Sequence, residues 1–246
     1  MSDLVKSIRA RYESTLFKIS SSAKKAGRSP ESVKLVVVTK SQPIEIVRAA
    51  LEAGAKILGE NYAEEGVTKI QSLTDFSAVE WHMIGHVQSR KAQLVAENFN
   101  FLHSLDSIKL AKRLDRFCGE AKRTLPVLLE FNVGGEESKS GWNAFDESRW
   151  SELFSDVNEV MALPNLQIRG LMTMPPIGDD AEFSRPFFQK LKRLQEFFAK
   201  QFPQVDFSEL SMGTSLDYEV AVEEGATFVR VGTAIVGERK YKTEDE

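Results

Sequence analysis

Eight short apolar runs alternate with seven longer stretches whose apolar residues recur at helical spacing, and this alternation constrains the fold more than any other feature. The runs occupy residues 34–39, 56–59, 80–84, 99–103, 126–131, 167–171, 206–210 and 227–231. Helices are expected at 43–53, 62–73, 89–97, 107–122, 147–161, 183–201 and 216–224. Pro43 sits in the favoured first turn and Gly54 ends that helix. Ser107 caps another, and Gly225 ends the last. An extra helix over 4–26 precedes the first strand, with Leu4, Ile8, Tyr12, Leu16 and Ile19 as its apolar stripe. Residues 132–143 read as loop, as does Met172-Thr173-Met174-Pro175-Pro176, where prolines end pairing. Strands joined through helices run parallel and must be buried on both faces. Eight of them close most naturally into a single (β/α)8 TIM barrel, with an open doubly wound sheet as the alternative. No linker divides residues 1–237, and 238–246 form a charged tail.

Composition removes several classes of function. A formal net charge of −4 gives no nucleic-acid footprint. No apolar run reaches membrane-spanning length, and the N-terminus lacks a secretory apolar stretch, so a cytoplasmic protein is expected. The single cysteine, Cys118, excludes an internal disulfide and a cysteine metal cluster. His82 and His86 are four apart, but in a strand running into a turn rather than on a helix, so no metal is expected. Polar helix faces suggest a monomer.

Lys40 closes the first strand. Strand periodicity places Val36, Val38 and Lys40 on one face. An amine at the carboxyl lip of a buried strand lies where such folds carry their chemistry, and partial desolvation suits it to Schiff-base formation. In such barrels phosphate commonly binds in the loops after the seventh and eighth strands. Here these are Ser211-Met212-Gly213-Thr214-Ser215 and Gly232-Thr233, small residues with hydroxyls, the first leading into a helix. Ser215 could instead merely cap that helix. Arg230 interrupts the last apolar strand and needs a partner: Asp217 or Glu60 in an ion pair, or an acceptor on a ligand. Gly134-Gly135-Glu136-Glu137-Ser138-Lys139-Ser140 approaches a nucleotide P-loop but has Ser138 at the second glycine and two acids that repel phosphate.

Seven segments, in order, resemble the pyridoxal phosphate homeostasis proteins of the YggS/PROSC type. They are Val37-Val38-Thr39-Lys40, Gly59-Glu60-Asn61-Tyr62, Trp81-His82-Met83-Ile84-Gly85-His86-Val87-Gln88-Ser89, Lys139-Ser140-Gly141, Gly170-Leu171-Met172-Thr173, Ser211-Met212-Gly213-Thr214-Ser215-Leu216-Asp217 and Arg230-Val231-Gly232-Thr233. The resemblance implies a barrel like the N-terminal half of alanine racemase, with pyridoxal 5′-phosphate held as a Schiff base on Lys40. It implies Asn61 beside the ring, Arg230 facing the pyridine nitrogen, and Ser215, Gly232 and Thr233 on the phosphate, with Ser211, Met212 and Thr214 nearby. Without it, Asn61 reads as a helix N-cap. Thr214 replaces a frequent Met and Arg90 a frequent Asn. A non-catalytic carrier is the expected function, since an arginine opposite the ring nitrogen weakens the electron sink and no second domain supplies a base. Tyr62, Tyr218 and Tyr241 are the candidate bases. The alternatives are a pyridoxal phosphate-dependent racemase or lyase, and a barrel enzyme for a phosphorylated sugar. Pyridoxal phosphate-dependent apo-enzymes are possible recipients.

Overall fold

Residues 2–176 and 178–238 are described by a computed structural model. The strands are β1 (Lys34–Val38), β2 (Ile57–Glu60), β3 (Glu80–Met83), β4 (Phe101–Leu105), β5 (Leu125–Asn132), β6 (Trp142–Asn143), β7 (Leu166–Met172), β8 (Glu209–Ser211) and β9 (Phe228–Val231). All pair in parallel, in the order β4-β3-β2-β1-β9-β8-β7-β5, and β4 pairs with β5 to close the ring. The eight strands so joined form a TIM barrel, in which β8 and β9 are the seventh and eighth barrel strands. The two-residue β6 lies outside the ring beside β5.

The helices are α1 (Asp3–Lys25), α2 (Ile44–Glu52), α3 (Ala63–Ser72), α4 (Ala92–Asn98), α5 (Ile108–Glu120), α6 (Phe154–Met161), α7 (Arg185–Gln201), α8 (Tyr218–Glu223) and α9 (Thr233–Val236). Among the described residues, none is long and apolar enough to cross a membrane. The extra helix α1 packs against α2, α8 and α9. Its buried face is Val5, Ile8, Thr15, Ile19, Ser22 and Ala23. Ile8 and Ile19 of the expected stripe are buried, whereas Leu4 and Leu16 are each 39% exposed and the adjacent Val5 and Thr15 pack in their place.

Alternation along each strand produces two apolar layers of unequal size. The outer layer, between barrel and helices, includes Val37, Leu58, Leu102, Leu129, Val229 and the helical Leu114, Leu191 and Phe198. The inner layer is Val36, Leu128, Met172 and Phe228, flanked by Ile57, Ile84 and Phe101. Each fully buried large apolar side chain contributes about 2 kcal/mol, so the outer layer carries most of the stability. Buried polar residues at other inner positions include His82, His103, Ser211, Arg230 and Glu130.

Several boundaries differ from expectation. Pro43 stands at the N-cap of α2, its backbone extended at ψ 156°, rather than inside the first turn. Phe99 ends α4, so the fourth strand starts at Phe101. Asp206 turns the chain by accepting from the Ser208 N–H (2.9 Å), which delays β8 to Glu209. The expected helix from Leu216 begins at Tyr218. The helix expected over 147–161 starts as a 3-10 segment, Glu147–Leu153. The loop 132–143 contains β6, which pairs Trp142 with Phe131. The expected charged tail, apart from Glu238, lies outside the described residues.

Candidate functional site

The carboxyl ends of the strands open into a cavity of about 350 Å³ lined by residues of β1, β5 and β9 and of the segments that follow β1, β2, β3, β7, β8 and β9. Lys40 enters it from a tight turn. Thr39 continues the pairing of β1 by donating its N–H to the Gly59 carbonyl (3.0 Å), and Gln42 N–H closes the turn on the Thr39 carbonyl (3.1 Å). Ser41 takes a left-handed φ of 56°, which costs a non-glycine residue about 1 kcal/mol. Side chains behind the turn hold it. Lys69 Nζ donates to the Thr39 carbonyl (2.6 Å), to Glu60 (2.8 Å) and to Glu65 (2.6 Å). Thr39 Oγ1 donates to Glu60 (2.6 Å), and Ser41 N–H to Glu65 (2.7 Å). Lys40 is therefore presented by a strapped backbone and is itself half-buried.

The opposite wall is built by the loops after β8 and β9. Gly213 needs its φ of +90°, and a Cβ there would lie 2.5 Å from that of Ala221. Asp217 accepts from both the N–H (2.7 Å) and the hydroxyl (3.1 Å) of Thr214. Ser215 Oγ accepts from Gly232 N–H (3.2 Å), stitching one loop to the other. Ser215 thus caps no helix; the α8 N-cap position belongs to Asp217. A Cβ on Gly232 would come within 3.3 Å of the Val38 carbonyl, so the bare backbone fits closely against β1.

Arg230 rises between these walls from β9, paired in register with Val36. It is 3% exposed. Its guanidinium donates to Ser211 Oγ, to the Thr173 carbonyl (3.0 Å) and to Met174 Sδ (2.9 Å). No carboxylate pairs with it among the described residues. Asp217 holds Thr214, and Glu60 holds Lys69 and Thr39 instead. Burial pushes the guanidinium down to about 10, with Asp217 and Glu130 pulling it back up, so it stays charged at neutral pH. Among the described residues three of its five N–H groups are engaged, and Arg230 lines the cavity.

The family described as alanine racemase, N-terminal domain, matches residues 19–240. The pyridoxal phosphate homeostasis protein of Vibrio alginolyticus is 42% identical over 238 residues, covering 96% of this chain and 99% of the relative. That of Escherichia coli K12 is 38% identical over 229 residues, covering 91% and 93%. The chain belongs to the pyridoxal phosphate homeostasis protein family. Among solved structures, PipY of Synechococcus elongatus PCC7942, 35% identical, superposes with a TM-score of 0.82 without PLP and 0.80 with PLP bound, each over 94% of this chain and 100% of that one. An alanine racemase of Clostridium difficile 630, 15% identical, shares the fold at a TM-score of 0.68.

Of the residues the family resemblance assigns to the cofactor, the cavity brings together Lys40, Asn61, Thr214, Ser215, Arg230, Gly232 and Thr233. Ser211 and Met212 do not line it: Ser211 lies beneath Arg230, and Met212 is buried in the outer apolar layer. Asn61 stands one residue before the N-cap of α3, which is Tyr62, so the N-cap reading of Asn61 does not hold. A Cβ on Gly85 would lie 2.5 Å from the Asn61 carbonyl, and the bare glycine lets β3 and the Asn61 loop meet.

Glu130 and His86 also line the cavity, and sequence reasoning assigned them no role there. Glu130 carried the same signal as Arg230, an ionisable group inside an apolar strand. Burial, reinforced by Asp106, pushes its carboxyl up to about 7 against the pull of Arg230, His86 and Lys139. His86 Nδ1 is 2.7 Å from Asp106 at the rim.

Proposed function

We propose that this chain is a reversible holder of pyridoxal 5′-phosphate in the cytoplasm, carrying the aldehyde on Lys40 as a Schiff base and serving cellular homeostasis of the cofactor without turnover. The observation that carries this reading is one cavity joining an amine, an arginine without a carboxylate partner, and a hydroxyl-and-glycine cradle. These match the three polar ends of the ligand in kind: an aldehyde for the amine, a ring acceptor for the guanidinium, a phosphate for the cradle. When bound, the aldehyde supplies an electrophile. The Lys40 amine would hold the cofactor at that carbon with loss of water, and hydrolysis would release it. Glu130 and His86 at the same mouth are placed to pass the protons these steps require.

Turnover is disfavoured by Arg230. A charged guanidinium can only donate, so a ring nitrogen facing it must accept and stays unprotonated, which makes a shallow electron sink. None of the three described tyrosines lines the cavity. Tyr62 is 56% exposed, and Tyr218 is buried, with its hydroxyl pushed up by burial and by Glu219. Tyr241 lies outside the described residues. In this reading the protein acts as a monomer and passes its ligand to pyridoxal phosphate-dependent apo-enzymes.

Borohydride reduction after mixing with pyridoxal phosphate, followed by peptide mass spectrometry, tests the assignment. The pyridoxyl adduct is expected on Lys40 and absent from Lys40→Ala. A reduced adduct at unchanged yield on another lysine, or none, would overturn it.

A further inference from the structure

Beneath Arg230 the barrel interior contains a continuous line of polar groups. Ser211 Oγ accepts from Arg230 and lies 2.8 Å from His103 Nδ1. His103 Nε2 lies 2.9 Å from His82 Nδ1, and His82 Nε2 lies 3.1 Å from Glu80. Both imidazoles are fully buried and packed against Phe101 and Phe228. The line ends at the amino-terminal mouth of the barrel, where the Glu80 side chain is 59% exposed.

Its two ends fix the position of every proton between them. Arginine can only donate and an ionised carboxylate can only accept. Glu80 therefore takes the His82 Nε2 proton, which leaves Nδ1 of a neutral His82 as an acceptor. That nitrogen takes the His103 Nε2 proton, which leaves His103 Nδ1 as an acceptor. Among the described residues His103 Nδ1 is the only acceptor within reach of the Ser211 hydroxyl, so Ser211 donates there and offers a lone pair to Arg230. Charges around the line agree with neutral rings. Burial holds both imidazoles below their ordinary range, His103 well below, and Lys34 near both adds to this against the opposing pull of Glu80 and Glu209 on His82. Hydrogen bonds aligned head to tail polarise one another, so each donor strengthens the next acceptor.

We propose that Ser211, His103, His82 and Glu80 form a one-way hydrogen-bond chain that fixes Arg230 as a charged donor at the cavity and makes Glu80, at the far end of the barrel, its remote counter-charge. The chain adds to the through-space pull of Asp217 and Glu130 on the buried guanidinium, and among the described residues no carboxylate bonds to it directly and competes with a ligand. His103, His82 and Ser211 are then positioning residues for the pyridoxal phosphate ring. That last step rests on the proposed function; the direction of the chain does not.

Two measurements test it. In ligand-free, 15N-histidine-labelled protein at pH 7, long-range 1H–15N correlation should show His82 and His103 both neutral with the proton on Nε2, and His86→Asn removes the third histidine signal for assignment. A proton on Nδ1 of either ring, or a cationic ring, would overturn the chain. In titrations with pyridoxal phosphate, His103→Leu should weaken binding about tenfold, the upper end for loss of one hydrogen bond between neutral groups. His103→Gln, which keeps one donor and one acceptor, should recover most of that loss. Binding by His103→Leu equal to that of the parent would overturn the positioning role. If His103→Leu does not fold, the tautomers of the unsubstituted protein decide alone. If the parent fails to bind pyridoxal phosphate, the reading of the cavity falls while the tautomer result still judges the chain.

Discussion

Two buried cations flank the mouth of this barrel, and they are satisfied in opposite ways. Lys69, 5% exposed, sits behind the Lys40 turn and donates to two carboxylates and a carbonyl. Arg230, 3% exposed, sits inside the barrel and donates to a hydroxyl, a carbonyl and a thioether. A cation neutralised by adjacent carboxylates is a strap: it fixes backbone and has nothing left for a ligand. A cation held by neutral acceptors keeps its charge and part of its donor capacity for what enters the cavity. Burial alone does not separate a structural charge from a functional one; the chemistry of its acceptors does.

The largest test of this contrast removes the strap. Lys69→Met leaves the buried Glu60 carboxylate without its counter-charge, and Glu60 Oε2 already has no hydrogen-bond partner. Breaking one side of such a pair costs about 3–5 kcal/mol. Urea unfolding should show a loss of that size, with the Lys40 turn loosened. A loss under about 1 kcal/mol would mean that the carboxylates do not define Lys69's role.

The next test asks whether the nearest acid neutralises Arg230. If Glu130 were its ion-pair partner, the carboxyl would titrate low and stability would rise with pH as it ionised. Instead it is pushed from 4.5 up to about 7. Between those values the native state keeps a proton that the unfolded chain has released. Stability should therefore fall as pH rises through this window, by at most about 3 kcal/mol, and level off above it. Urea midpoints at pH 5 and pH 8, parent against Glu130→Gln, should show this component only in the parent. A component of opposite sign would restore the ion pair.

The smallest effect is expected from Arg230→Met. No carboxylate is stranded, so stability should stay within about 1 kcal/mol of the parent. Pyridoxal phosphate binding, followed by absorbance titration, should weaken by about 2 kcal/mol, the scale of hydrogen bonds to a charged group. A large loss of stability with binding intact would make Arg230 a second strap.

Much of this contrast was legible in the chain, and the part that was not has a common cause. Arg230 stood out because a charge in an apolar strand demands a partner, but neither expected partner, Asp217 or Glu60, pairs with it. Glu130 gave the same signal inside Leu125-Pro126-Val127-Leu128-Leu129-Glu130-Phe131 and received no role. Lys69 reads from sequence as an ordinary residue on a helix face, because its burial arises only when α3 packs against β2 and β3. His82 and His103 are 21 positions apart and give no local sign that their rings meet. Ser215 matched a helix cap by type, whereas it bridges to Gly232 across a separate loop.

The order of elements, their parallel pairing, the closed barrel and the placement of Lys40 at a strand's carboxyl lip were determined by the sequence, because periodicity and turn chemistry act over a few residues. Which buried cation became a strap and which a ligand donor, and that four polar groups line up beneath Arg230, were decided only by the tertiary structure. Hydrogen-bond partners are chosen among groups brought within 3.1 Å of one another by closure of the ring, and local pattern does not encode that distance.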